Sequence, residues 1–137
     1  MDYMRRWTDI KDERSTYFGH WEELSEFIMP RRGRFLTSKS NDGSKKNGKI
    51  IDSTGSMAVR TLSAGMMSGI TSPARPWFRL ATPESALMEQ SDVKQWLFSV
   101  EKKMRDIFSR SNLYNSLQTV YEELAVFGTG AMLISED

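Results

Sequence analysis

The run from Arg31 to Lys49, RRGRFLTSKSNDGSKKNGK, holds the densest chemistry in the chain. Its seven cations, Arg31, Arg32, Arg34, Lys39, Lys45, Lys46 and Lys49, face Asp42 alone, a local charge of +6. Clustered Lys and Arg of this kind suit phosphate contacts whose affinity falls steeply with salt. Phe35 is the sole aromatic among them, too little interleaving for stacking against unpaired bases. No helix-turn-helix or other reader motif accompanies the charges. A solvated loop, or one docked on an acidic neighbouring subunit, is the commoner outcome for such a run. Nucleic-acid contact is therefore the second reading of these seven residues.

Other chemistry fails for want of partners. His20 is the only imidazole and there is no cysteine. Thiolate metal sites, disulfides and thiol nucleophiles are thus excluded, and a transition-metal site would lack ligands of the usual type. The carboxylate pairs Asp12-Glu13, Glu22-Glu23 and Glu122-Glu123 fit the wet face of amphipathic helices. Acid–base catalysis needs two groups held in distinct environments. Ser63 and Ser68 have no base nearby in sequence and no Gly-x-Ser-x-Gly elbow. Gly65-Met66-Met67-Ser68-Gly69 is not followed by Lys-Ser or Lys-Thr, so no Walker motif cradles a phosphate. No catalytic, cofactor or metal site is expected.

Composition sets the frame around these residues. At 137 residues and 39% hydrophobic content the chain suits one domain with a modest core. The net charge of +1 hides an uneven spread: residues 1–30 sum to −3, 50–83 to +2 and 84–137 to −4. No apolar run approaches the length of a membrane span. Met1-Asp2-Tyr3-Met4-Arg5-Arg6 has no apolar signal-peptide core.

The elements follow from periodicity. Tyr3, Trp7, Ile10, Tyr17, Trp21, Leu24 and Ile28 recur in alternating steps of four and three, with Arg14 filling the gap. That heptad predicts one helix from Tyr3 to Met29, ended by Pro30. Residues 31–49 then read as a flexible loop with turns at Asn41-Asp42-Gly43 and Asn47-Gly48. Asp52 and Ser53 can cap a second helix. It carries Val59, Leu62, Met66 and Ile70 on one stripe and Gly55, Ala58, Gly65 and Gly69 on another. Each Gly costs a helix about 1 kcal/mol relative to Ala, so tight packing against another backbone is expected. Trp77 to Ala81 alternates like a short strand. A third helix begins near Ser91-Asp92, and a fourth, capped by Asn112, ends at Gly128-Thr129-Gly130. Ala131 to Ser135 reads as a strand able to pair with Trp77 to Ala81 or with a segment beyond the end of this chain. The expected class is α+β, mainly α, with about four amphipathic helices and a few short strands.

The stretch Ala58-x-x-x-Leu62-x-Ala64-Gly65-Met66-x-x-Gly69-Ile70-Thr71-Ser72-Pro73, leading into Pro76-Trp77-Phe78-x-Leu80, resembles the N-terminal region of the head-to-tail connecting (portal) proteins of short-tailed bacteriophages. Phe27-Ile28-Met29-Pro30-Arg31 upstream and Phe127-Gly128-Thr129-Gly130-Ala131-Met132-Leu133 downstream resemble further elements of that family, in the same order. The resemblance implies a non-enzymatic structural subunit of a twelve-membered homo-oligomeric ring at the capsid vertex of the virion, assembled in the host cytoplasm. Double-stranded DNA passes through that ring during packaging and ejection. Capsid, packaging ATPase and tail proteins are its partners; cofactors and membranes are not. Trp7, Trp21, Gly65, Gly69, Pro73, Trp77 and Phe78 would serve packing, with the basic loop exposed on the outer part of the ring. The family's chains run to several hundred residues, so residues 1–137 are expected to form a single N-terminal region, as a fragment or a truncated, prophage-borne copy. The alternative is a small helical nucleic-acid-binding protein using residues 31–49.

Overall fold

A computed structural model describes residues 2–33, 36 and 49–135. Asp2 starts the first helix, its Oδ1 accepting the amides of Met4 (3.1 Å) and Arg5 (3.3 Å). Helix α1 spans Tyr3–Ser15 and α2 spans Phe18–Phe27, where the heptad predicts one continuous helix. The interruption has a local cause. Ser15 Oγ donates to the Asp12 carbonyl (2.6 Å) and Thr16 Oγ1 to that of Glu13 (2.7 Å). The Thr16 and Tyr17 amides turn to carbonyls three residues back. Hydroxyls competing for carbonyls tighten the turn in this way. The backbone of Thr16 and Tyr17 stays in the right-handed helical region, so the apolar register carries across.

Helix α3 spans Thr54–Ile70, with Asp52 Oδ1 accepting the Thr54 amide at 2.9 Å. A 3₁₀ turn at Leu87–Glu89 precedes α4, Ser91–Arg110, and α5 follows at Leu113–Phe127. Ser111 rather than Asn112 supplies the side-chain oxygen at the start of α5, accepting the Leu113 amide at 3.2 Å. Gly128 closes α5 with φ +73° and donates its amide to the Leu124 carbonyl at 3.0 Å, the left-handed ending that glycine adopts without steric cost.

The described residues thus form five α-helices rather than about four, and no β-strand. The two expected strands are a correction. Alternation fixes which side chains share a face but supplies no partner, and a strand exists only as part of a ladder. Trp77 and Phe78 are half-buried against Phe108 of α4 with their backbone unladdered. Ala131 to Ser135 is exposed throughout.

Two compact units partition the chain: residues 1–61 with 123–130, and residues 62–122 with 131–137. In the first, Trp21 Nε1 donates to the carbonyl of buried Phe127 at 3.1 Å, and Ser56 Oγ donates to the Ile28 carbonyl at 3.1 Å. A Cβ on Gly55 would lie 3.5 Å from Ile28 Cγ1, so α3 passes close to the end of α2 there. In the second unit, α3 meets α5 through polar pairs. Ser63, fully buried, accepts from Gln118 Nε2 at 2.7 Å. The hydroxyls of buried Thr71 and Tyr121 lie 2.9 Å apart. Thr71 Oγ1 also lies 3.3 Å from Met67 Sδ. Ser63, Met67 and Thr71 share a face at steps of four. Leu97, Tyr121 and Phe127 are the buried large hydrophobics among the described residues, against Ser25, Ser63, Thr71 and Glu101 as buried polar ones. The core is small and partly polar.

Candidate functional site

Of the seven cations in the basic run, Arg34, Lys39, Lys45 and Lys46 lie outside the described residues. Arg31, Arg32 and Lys49 are exposed. Two of these three meet carboxylates of their own unit. Arg32 Nη1 is 3.4 Å from Glu123 Oε1, and Lys49 Nζ is 2.5 Å from Glu26 Oε2. The hydrogen bond to Glu26 raises the Lys49 pKa above its ordinary value, against desolvation and with smaller help from the charges of Glu26 and Glu22. Arg32 and Lys49 are thus turned toward the chain's own acids. Exposed pairs of this type are screened by solvent and add little to stability.

The aromatic positions are held in three different ways. Trp7 is 57% exposed on α1, with Lys11 Nζ 5.1 Å above its ring. Trp21 stacks on Tyr17 at 5.7 Å, and the Arg14 guanidinium lies 5.7 Å from both the Phe18 and Trp21 ring centres. That placement explains how a cation occupies an apolar heptad position: its flat head rests on two ring faces. Trp77, Phe78 and Phe108 form one aromatic cluster, with Trp77–Phe78 edge-on at 4.9 Å and Trp77–Phe108 stacked at 6.3 Å. Trp77 Nε1 donates to the Tyr114 hydroxyl at 3.3 Å.

The small-residue stripe lies differently from its expected role. Gly65 and Gly69 are exposed, and a Cβ on either would meet nothing within 4 Å. The residue that lets α5 approach α3 is Ser63, which sequence reasoning passed over. Pro73 is exposed in the turn after α3, where Arg75 Nη2 donates to the carbonyls of Ser68 (2.9 Å) and Gly69 (3.2 Å). Arg75 thus satisfies the last free carbonyls of the helix. Sequence reasoning also missed the Thr71–Tyr121 and Ser63–Gln118 pairs. Their one available signal was polar residues on shared helical faces: Ser63 and Thr71, eight apart, and Gln118 and Tyr121, three apart.

Among the described residues no group of three or more His, Asp and Glu side chains converges as a metal site would. No described helix is long and apolar enough to cross a membrane. What dominates is uncovered apolar surface: Tyr3, Met4, Trp7 and Ile10 on α1 and Trp96, Phe98 and Ile107 on α4 are all more than half exposed. Exposed apolar side chains that share one helix face, as Tyr3, Trp7 and Ile10 do on α1, suit a surface that meets other polypeptide.

Residues 1–137 match the profile of the family described as "Bacteriophage head to tail connecting protein". The chain belongs to that family. It is 53% identical over 134 residues to a portal protein of Salmonella phage epsilon15. It is 46% identical over 134 residues to a probable portal protein of Bordetella phage BPP-1. In both cases the match covers 98% of this chain and 24% of the relative.

Proposed function

We propose that this chain is the N-terminal region of a structural subunit of a phage portal, the head–tail connector at the capsid vertex of the virion. The carrying observation is the 53% identity to the epsilon15 portal protein over nearly the whole chain. The uncovered aromatic surface of α1 and α4 supports it, because a subunit built to be covered by other polypeptide leaves such faces open. In this reading the chain acts by shape and contact and catalyses nothing. Copies close into a twelve-membered ring by heterologous, head-to-tail contacts. Double-stranded DNA passes through that ring, which meets capsid, packaging ATPase and tail proteins and is assembled in the host cytoplasm. Residues 1–137 act as one region, with the aromatic positions Trp7, Trp21, Trp77 and Phe78 and the turn at Pro73 serving packing, and the 31–49 run exposed. Gly65 and Gly69, open in the free chain, would serve close approach only within the assembly.

A nucleic-acid-binding role for residues 31–49 gains no support from the cations described there, since Arg32 and Lys49 face Glu123 and Glu26. The test is a chimaera in which residues 1–137 replace the matching quarter of the epsilon15 portal protein. Tailed, DNA-filled particles and plaques are the expected result. A chimaera that accumulates in soluble form yet yields only empty, tailless heads would overturn the proposal.

A further inference from the structure

Between the turn after α3 and the middle of α4 lies a cavity of about 380 Å³, with Pro73, Ala74, Phe98 and Tyr114 among its walls. Three cations line it, Arg75, Lys102 and Arg105, against one carboxylate, Asp106. The lining is therefore +2, whereas all the described residues of the unit that contains it sum to only +1, from seven basic and six acidic residues. Positive charge is concentrated at the cavity.

These groups keep capacity to bind. Arg75 is held in place by the two α3 carbonyls through Nη2 alone, leaving Nη1 and Nε to donate. Arg105 Nη2 is 3.9 Å from Glu101 Oε1, beyond hydrogen-bond distance, and its Nε is buried without a partner. Glu101 thus leaves the guanidinium fork unused. Lys102 has no ion pair among the described residues. The Tyr114 hydroxyl accepts from Trp77 Nε1, which leaves its own proton to give. Phe98, 62% exposed, offers an apolar wall beside the charges.

We propose that this cavity receives a carboxylate side chain from an acidic, partly apolar segment of another protein chain. The guanidiniums and Lys102 would hold the carboxylate, with Phe98 and Pro73 against its aliphatic stem and neighbours. Planar carboxylates match an arginine fork. The concave, part-apolar shape fits a side chain better than duplex phosphates, which lie along a convex cylinder. Asp106 also repels a polyanion more than a single carboxylate. Trp77 is then a positioning residue that orients Tyr114.

The test titrates the full chain with a short fluorescent peptide alternating Glu and Leu, its Gln-for-Glu counterpart, and a mixed-sequence DNA duplex. The Glu peptide should bind and the Gln peptide should not. Lys102→Ala and Arg105→Gln should each weaken binding about tenfold, the scale of a lost hydrogen bond to a charged group. Arg105→Lys should weaken it less. Lys103→Ala, outside the cavity, should change nothing. Exposed Lys102 can be replaced without disturbing packing, so its variant keeps the test valid if Arg105→Gln fails to fold. Absence of Glu-peptide binding, equal binding of both peptides, or indifference to Lys102→Ala would each overturn the proposal. So would duplex binding that displaces the peptide and is lost in Lys102→Ala, which would make the cavity a phosphate site.

Discussion

Helices α1 and α5 carry similar apolar stripes and meet opposite fates. Thirteen residues long, α1 has none buried, and its Tyr3, Trp7 and Ile10 are open to solvent. Fifteen residues long, α5 holds buried Tyr121 and Phe127; its Phe127 carbonyl accepts from Trp21 of α2, and its Gln118 donates to Ser63 of α3. The stripe tells which face of a helix is apolar. It does not tell whether the same chain supplies the cover. Helices near the length of α1 are marginal in water when nothing packs on them, so α1 depends on polypeptide beyond the described residues far more than α5 does.

The largest break in this contrast is expected at Phe127. Phe127→Ala should destabilise the chain by about 3–5 kcal/mol through the cavity it leaves, read as a lowered urea midpoint. Ser63→Leu should follow at about 2–3 kcal/mol. It forces a branched side chain into a fully buried site and removes the acceptor of Gln118. Gly65→Ala runs the other way. With open space at its Cβ position, the isolated chain should gain about 0.5–1 kcal/mol in the same titration. Trp7→Ala should move the midpoint by less than about 0.5 kcal/mol, although it removes the larger side chain. A Trp7 effect as large as that of Phe127 would erase the distinction between the two helices.

Much of the fold was legible before the structure. The heptad from Tyr3 to Ile28, the starts near Thr54 and Ser91, and the glycine ending after Phe127 all follow from local rules that need no partner. What was not legible required one. The strands at Trp77 to Ala81 and Ala131 to Ser135 had the right alternation, but pairing is a property of two segments. The break at Thr16 came from hydroxyls whose choice of carbonyl a heptad pattern ignores. For the candidate site, the family motif singled out Trp77 and Phe78, and the structure adds what meets them: Phe108 and Tyr114. Of the small-residue stripe, Gly55 passes close to Ile28 while Gly65 and Gly69 stay open, and the contact with α5 falls on Ser63. Its register relative to α5 is set by the tertiary fold, not by α3 alone.

The central claim is that this chain does its work as part of a single head–tail connector through surfaces that other polypeptide covers. Electron cryomicroscopy of particles carrying the epsilon15 chimaera, reconstructed without imposed icosahedral symmetry, tests it most directly. The account predicts ring density for residues 1–137 at one vertex only, with the α1 face against polypeptide. Particles whose vertices all lack this density, or a ring in which α1 and α4 still face bulk solvent, would contradict it.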